Sequence, residues 1–347
     1  MKAPREKRAR MLAPSRVMRS TPQRAGGGRE REPLVWQARQ AIAQGSHSFA
    51  MASKLFDRDT LERAWLLYAW CRRCDDIADG QEFGGALDAD KIGDAAKAGD
   101  RVKGIRILTD RAYEGLPTAD PAFDGFGVVA SECGIQRDLA EEVIAGFKLD
   151  AGEWKPRTEG DMMRYCYHVA GAVGVMMAKV MGVPASEGDT YDRACDLGLA
   201  FQLANIMRDI VEDDAAGRCY LPEEWLAELG FAPGEHARPE NRFVLASMMP
   251  RMAEMMERHE QAARVGAARL RFRQRWAVLS AARIYGAIGR KVLDRGQLAW
   301  DRRVVIGPLA KLGHVTAAFG EALVNRPSEP DPWPKWTRGE LRPVKGW

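Results

Sequence analysis

The stretch CRRCDDIADG (residues 71–80) places three aspartates within five positions, directly after two arginines. The preceding segment TLERAWLLYAW (60–70) carries apolar residues at helical spacing, so the acidic stretch is predicted to continue a helix. Asp75 and Asp79 are four positions apart and therefore share one face of that helix. Like charges at this spacing destabilise an isolated helix by about 0.2–0.5 kcal/mol per pair. Another part of the protein is therefore expected to offset their repulsion.

A second acidic pair lies further along the chain. The segment FQLANIMRDIVEDDAAGRCYLP (201–222) contains Asp209 and Asp213, again four positions apart, and Arg208 directly precedes them. One such pair is typical of a solvated surface, but two on otherwise apolar helices indicate a shared function. Together they predict diphosphate binding through a divalent metal, Mg²⁺ or Mn²⁺, because such hard cations take carboxylate oxygens and accept phosphate oxygens.

This metal site implies a particular chemistry. The metal would cancel the repulsion between the carboxylates and the charge of a leaving diphosphate. Arg72 and Arg208 would add forked hydrogen bonds to phosphate oxygens. Departure of an allylic diphosphate leaves a carbocation, and the apolar interior of a helical bundle offers it few nucleophiles.

The charge of the chain is unevenly distributed. Residues 1–32 hold ten Lys/Arg and three Glu, a net charge of +7, whereas the other residues hold 42 basic and 45 acidic side chains. The body is therefore near neutral, and we expect no nucleic-acid partner. The basic segment lacks the apolar core of a secretory signal and is predicted to be a disordered tail. Contact of this tail with anionic lipid is an alternative. Without a signal, the protein is expected to be cytoplasmic.

Helical periodicity recurs along the chain, and strand signals are almost absent. The predicted helices are 34–44, 58–80, 100–114, 121–132, 136–151, 159–182, 187–215, 243–263, 268–296 and 306–324. This pattern predicts an all-α fold, a single domain over 33–325, followed by a Pro-rich tail over 326–347. No stretch reaches 18 uninterrupted apolar residues, so no membrane span is predicted.

Beyond these patterns, the chain resembles the squalene/phytoene synthase family in several segments. The matching segments are SHSFA (46–50), YAWCRRCDDIAD (68–79), YCYHVAGAVG (165–174), the 201–222 segment, and more weakly ARIYGAI (282–288) with WDRRV (300–304). They anchor roughly residues 34–320. The resemblance implies an isoprenoid-synthase helical bundle with a central apolar cavity. The implied reaction condenses two geranylgeranyl diphosphates head to head, through prephytoene diphosphate, to phytoene, with release of diphosphate in carotenoid biosynthesis.

The resemblance also implies roles for individual residues. The metal-binding aspartates would be Asp75, Asp79, Asp209 and Asp213, which act in catalysis together with Tyr165 and Arg208. Tyr165 would stand near the reacting carbons, for cation stabilisation or proton handling. The implied diphosphate contacts are Ser46, His47, Ser48, Tyr68, Arg72, Gln202, Asn205, Arg208, Tyr285 and one arginine of the Arg302/Arg303 pair, taken as Arg303.

Several alternatives remain at this stage. A squalene- or dehydrosqualene-type synthase would use farnesyl diphosphate, and a non-catalytic lipid-binding or assembly relative would keep only the fold. No strand–GxGxxG–helix unit is visible, which favours a reaction without nicotinamide. Ser53, one helical turn after Phe49, would leave space for a C20 chain rather than a C15 chain. A peripheral membrane contact and contact with downstream carotenoid enzymes are further expectations.

Overall fold

A computed structural model describes residues 30–80, 95–152, 154–232 and 234–342, without the side chains of 47, 48 and 95–97. Most of the predicted basic tail, residues 1–29, lies outside the described residues, as do 343–347. The described part of the chain contains helices and no strand, which confirms the all-α prediction. Within that part, no helix combines the length and apolarity needed to cross a bilayer.

The helices are numbered in chain order. They are α1 Arg31–Gly45, α2 His47–Ser53, α3 Arg58–Asp79, α4 Ala95–Tyr113, α5 Pro121–Cys133, α6 Arg137–Ala151, α7 Glu159–Cys166, α8 Ala172–Val180, α9 Gly188–Ala215, α10 Glu223–Glu228, α11 Arg242–Ala267, α12 Phe272–Arg295, α13 Pro308–Val324 and α14 Arg338–Leu341. A π-helical turn, Tyr167–Gly171, joins α7 to α8. Short 3₁₀ turns occupy Pro239–Asn241 and Gly296–Trp300.

Local capping sets the limits of α3, the helix that carries the first acidic pair. The Asp57 carboxylate accepts a hydrogen bond from the Thr60 backbone N–H at 3.0 Å and so caps the start. Gly80 ends the helix in the left-handed conformation, at φ 68°, where a residue without Cβ is favoured. The helix therefore stops directly after Asp79.

The long helix α9 lies at the centre of the bundle and packs against α8, α11 and α12. Its approach to the π-helical turn is very close, because a Cβ built on Gly198 would lie 2.2 Å from the carbonyl oxygen of Ala170. A Cβ on Gly174 of α8 would likewise lie 2.2 Å from the Ala194 carbonyl oxygen. Glycines at these two positions allow the helices to touch through their backbones.

The predicted helices match the long elements, but the structure differs at several places. The sequence pattern missed the short helices α2, α10 and α14, and it did not predict the π-helical turn within 159–182. The predicted helix 268–296 begins later, at Phe272, after a turn. Short helices bury few residues, so their periodicity gives little signal.

The Pro-rich C-terminal segment is mostly irregular and packs on the helical body. Leu341 is buried in the core. The Trp336 indole N–H donates to Glu159 at 2.9 Å, and Arg342 donates to Glu142 at 2.8 Å. The domain limits drawn from the sequence, 33–325 and 326–347, stay a prediction.

Candidate active site

The acidic side chains lie at helix C-termini. Asp79 is the last residue of α3, and Asp213 lies in the last turn of α9, with Asp75 and Asp209 one turn earlier in each helix. Asp150 occupies the last turn of α6. Helix C-termini carry partial negative charge and favour cations. Carboxylates at such positions add to an unfavourable negative potential, which a bound cation would relieve.

These three helix ends meet at one place, which we call the acidic cleft and define by Asp75, Asp79, Asp150, Asp209 and Asp213. The negative charge of Asp150 raises the pKa of both Asp75 and Asp213, so it lies within electrostatic reach of both pairs. Asp150 therefore links the two acidic pairs that the sequence shows separately.

Crowding of these carboxylates changes their titration. Burial, followed by repulsion from Asp79, raises the pKa of Asp75 to about 7. Burial and repulsion from Asp209 raise the pKa of Asp213 to about 7 in the same way. Burial also raises the pKa of Asp150 to about 6, although a hydrogen bond from Tyr220 opposes the change. The carboxylates of the acidic cleft therefore carry more negative charge than the neighbouring cationic side chains neutralise.

Arginines neutralise part of this charge. Arg303 donates two hydrogen bonds of 2.9 Å to the Asp209 carboxylate, and Arg208 donates to the same group. Burial alone would raise the pKa of Asp209, but these hydrogen bonds outweigh it and hold the pKa below its usual value. Arg218 donates to Asp79 in a similar two-pronged contact. The arginines can therefore exchange carboxylate oxygens for phosphate oxygens of the same geometry.

Arg72 lies beside the first acidic pair and contacts Asp75. Its guanidinium lies 3.0 Å from Asp75 and 2.8 Å from the buried Asp76. The Arg72 Nε is buried and has no hydrogen-bond partner among the residues that the structure describes. The side chain thus retains one unused donor beside the cleft.

The donor set fits divalent metal ions that bridge to a ligand. Within the described part of the chain, no three Asp, Glu, His or Cys side chains lie close enough together to enclose one ion. Mg²⁺, however, is usually held by one or two carboxylates, with waters and substrate phosphates completing its octahedron. Each acidic pair contains one carboxyl, Asp75 or Asp213, whose pKa is raised by burial and by repulsion from its neighbour, and such a pair is suited to that partial coordination.

An aromatic group borders the cleft. Tyr165 is 4% exposed, its ring stacks on Tyr220 at a centroid distance of 4.5 Å, and its hydroxyl donates to Asp150 at 3.3 Å. The Tyr220 hydroxyl donates to the other Asp150 oxygen at 2.8 Å. Burial raises the pKa of Tyr165 well above its usual value, so the phenol stays neutral. Trp154 also stacks on Tyr165, at a centroid distance of 5.7 Å, so three aromatic rings form one stack beside the acidic cleft.

A mostly apolar cavity of about 290 Å³ adjoins the cleft. It follows α9 from Thr190 to Asn205, a length of about 22 Å at 1.5 Å per residue. The sequence-predicted residues that line it are Ser46, Tyr68, Gln202, Asn205 and Tyr285. Asn205 lies one helical turn before Asp209, so the acidic cleft stands at one end of the cavity.

Each predicted site residue can now be placed. Ser46 lines the cavity and also caps α2 by accepting from the Phe49 N–H at 3.3 Å. Arg208 and Arg303 meet at Asp209, and Tyr165 contacts Asp150 at the cleft. His47 and Ser48 begin α2, and their side chains lie outside the described residues.

Sequence reasoning missed Asp150 altogether. It stands alone in FKLDA (147–151) with no partner at helical spacing, so the local pattern carries no signal for it. Arg218 and Tyr220 lie in the loop after α9, and their spacing in the sequence gives no signal for contacts with distant carboxylates. In the structure both contact carboxylates of the cleft, because the loop after α9 turns back toward α3 and α6.

Comparisons with known proteins agree with this geometry. The family model described as squalene/phytoene synthase matches residues 42–310. A phytoene synthase of Pseudescherichia vulneris is 42% identical over 308 residues, 88% of this chain and 98% of the relative. A 15-cis-phytoene synthase of Enterobacter agglomerans is 44% identical over 282 residues, 81% of this chain and 94% of the relative.

A solved structure supports the fold. The crystal structure of a dehydrosqualene synthase in complex with a ligand aligns with a TM-score of 0.73 at 23% identity, covering 85% of this chain and 98% of that one. With the family model spanning most of the described residues and relatives above 40% identity, the chain belongs to the squalene/phytoene synthase family.

Proposed function

We propose that this protein condenses two molecules of geranylgeranyl diphosphate head to head to phytoene, through prephytoene diphosphate, with release of two diphosphates. The observation that carries the proposal is the pairing of one acidic cleft, built from three helix C-termini, with an adjoining apolar cavity about 22 Å long. The relatives named phytoene synthase, at 42–44% identity over more than four fifths of the chain, support the choice of reaction.

The acidic cleft is proposed to bind the diphosphate through divalent metal, Mg²⁺ or Mn²⁺, held by Asp75, Asp79, Asp209 and Asp213. When bound, the metal supplies positive charge that stabilises the diphosphate as it leaves. Arg72, Arg208 and Arg303 orient the phosphate oxygens, and each can leave its present carboxylate partner to do so. The shared aspartate Asp209 makes this exchange concerted for Arg208 and Arg303.

The carbocation left by each ionisation needs a dry and electron-rich environment. The cavity wall supplies apolar side chains, and the aromatic stack of Trp154, Tyr165 and Tyr220 supplies negative quadrupole charge near the cleft. The Tyr165 hydroxyl donates its proton to Asp150, so that proton is already engaged in a hydrogen bond. This arrangement favours cation stabilisation by the ring as the role of Tyr165.

The length of the cavity supports a C20 substrate. The lining continues four turns of α9 beyond Asn205, to Thr190, and fully buried Ser53 contributes a small side chain to the wall. A larger residue at Ser53 would narrow the passage. The alternative, a synthase that uses farnesyl diphosphate, fills less of this space. A non-catalytic relative has no need for four aspartates and their arginine partners.

A peripheral contact with membrane is also proposed, since substrate chains and product are strongly apolar. Cytoplasmic localisation stays a prediction from the sequence, and contact with downstream carotenoid enzymes is proposed from the reaction.

Mass analysis of the lipid product tests the proposal. Purified full-length protein is incubated with Mg²⁺ and either geranylgeranyl or farnesyl diphosphate. We expect a C40 hydrocarbon from the first substrate, and its loss in Asp75→Asn and Asp209→Asn. The matched controls Asp59→Asn and Glu212→Gln remove exposed carboxylates from the same two helices and should retain activity. A C30 product formed in clear preference would establish the farnesyl alternative, and no product from either substrate would reject catalysis.

A further inference from the structure

The helix α13 has an inverted distribution of polar residues. Each of its exposed positions holds an uncharged residue, whereas its three ionisable residues, Lys311, His314 and Glu321, are half-buried against the body. A surface helix of a water-soluble protein normally turns its charged face outward and its apolar face inward. The outer face of α13 is therefore built for contact with an apolar phase.

The outward apolar side chains form one continuous stripe, which we call the α13 face. Leu309, Leu312 and Leu323 are 86%, 58% and 61% exposed, and they fall on one side of the helix. Leu298 and Val305, in the segment before the helix, are also exposed. Exposed apolar residues occur singly on most protein surfaces, but a contiguous group of this size marks an interaction site.

The orientation of α13 is fixed by its contact with α12. Phe319, 39% exposed at the border of the outward face, packs edge-on against Trp276 and Phe272 at centroid distances of 5.1 and 5.5 Å. Ala318 and Ala322 are fully buried at the same contact. These contacts leave Leu309 and Leu323 pointing away from the protein, so the α13 face is a rigid feature of the fold.

Exposed arginines flank both ends of the α13 face. Arg302 precedes the helix and Arg326 follows it, and neither forms an ion pair with any described residue. Of the acidic groups nearby, Glu321 pairs with two arginines, whereas the exposed Asp294 and Glu329 form no ion pair within the described part of the chain. Unpaired cations at both ends of an apolar helix complement a surface that is apolar inside and anionic at its rim.

We propose that the α13 face docks this protein on the surface of a bilayer containing anionic lipid, with α13 lying in the plane of the interface. A lipid surface is chosen over a second copy of the chain because of the flanking cations. The choice rests in part on the proposed function, whose hydrocarbon product must reach a membrane. Only α12 separates the α13 face from the cavity, since Val278 of α12 lines the cavity and packs in the α13 contact.

Vesicle flotation of the full-length protein tests the docking. The vesicles contain phosphatidylcholine alone or mixed with phosphatidylglycerol, at low salt and at about 0.5 M salt, which screens the charge of the basic N-terminal segment. We expect binding to the mixed vesicles that persists partly at high salt. The double variant Leu309→Asp/Leu323→Asp should weaken this binding by about tenfold or more, since two large apolar side chains no longer insert.

A matched control keeps the test specific. Ile107 is 51% exposed on α4, a helix that packs with α5 and α6, and Ile107→Asp should leave vesicle binding unchanged. Equal vesicle binding by the double variant and the native protein would overturn the proposal. A native dimer that the double variant dissociates, without vesicle binding, would assign the face to a second copy instead. Product formation in detergent micelles is measured in parallel, and its absence would reject the proposed function but not the docking.

Discussion

Replacement of Asp213 by asparagine is expected to stabilise the metal-free protein while removing its activity. The pKa of Asp213 is raised from its usual value of 3.8 to about 7 in the folded protein, by burial and by repulsion from Asp209. The folded state therefore binds more protons than the unfolded state between these two values. Its stability falls as the pH rises from about 4 to 7 and is constant above that range, so the full cost is present at pH 8.

The size of this effect follows from the change in pKa. A carboxyl raised from 3.8 to about 7 costs at most about 4 kcal/mol when ionised. Because Asp213 is only half-buried, water in the cleft screens the repulsion and reduces the cost to about 1–2 kcal/mol. The variant should then melt about 2–6 °C higher than the native protein at pH 8. At pH 5 the gain should be smaller than at pH 8.

Thermal melts in the presence of a chelator, at pH 5 and pH 8, measure the difference in Tm between the variant and the native protein. Added Mg²⁺ with pyrophosphate should raise the Tm of the native protein only. Product formation should fall by about 100-fold or more. Asp124→Asn is the matched control, because Asp124 is buried and accepts hydrogen bonds from the Thr118 N–H at 2.9 Å and hydroxyl at 2.7 Å. That variant should lose stability at both pH values. Destabilisation by Asp213→Asn, equal at the two pH values, would refute the idea of a repulsive cleft.

Substitutions at four further positions test separate features. Arg303→Met should raise the KM for the diphosphate substrate about tenfold with little change in Tm, because the side chain of the exposed Arg303 forms hydrogen bonds with no described residue other than Asp209; an unchanged KM would contradict its role. Gly198→Ala should destabilise by about 1–3 kcal/mol or more through its backbone clash, whereas Gly313→Ala, with open space around it, should stabilise by about 0.5–1 kcal/mol, as denaturant titration would show. Tyr165→Phe should retain most activity and Tyr165→Leu should lose at least about tenfold if the ring stabilises the cation; equal losses in steady-state assays would assign the role to the hydroxyl.

The helical class and the two acidic pairs could be predicted because both are local properties. An apolar period of 3.6 residues identifies α3 and α9, and a spacing of four places Asp75 beside Asp79 whatever surrounds them. The family resemblance added Tyr165 and the phosphate contacts from matched segments. The role of each of these residues is still a prediction that the experiments above test.

Contacts between distant segments could not be predicted from local spacing. Asp150 carries no local signal, and only the meeting of three helix ends makes it a neighbour of both acidic pairs. The pairing of Arg303 with Asp209 likewise joins residues 94 positions apart. Such contacts depend on how the helices pack, and the apolar period of a helix does not identify the helices it packs against.

Residue type and spacing were enough to predict long helices, a pair of carboxylates on each of two of them, and a helix over 306–324. The packing of the helices was needed to show that the carboxylates converge on one cleft and that α13 turns Leu309 and Leu323 outward. Apolar residues occur on several sides of α13, so its own sequence does not select the face it buries, and the contacts of Ala318 and Phe319 with α12 settle its orientation.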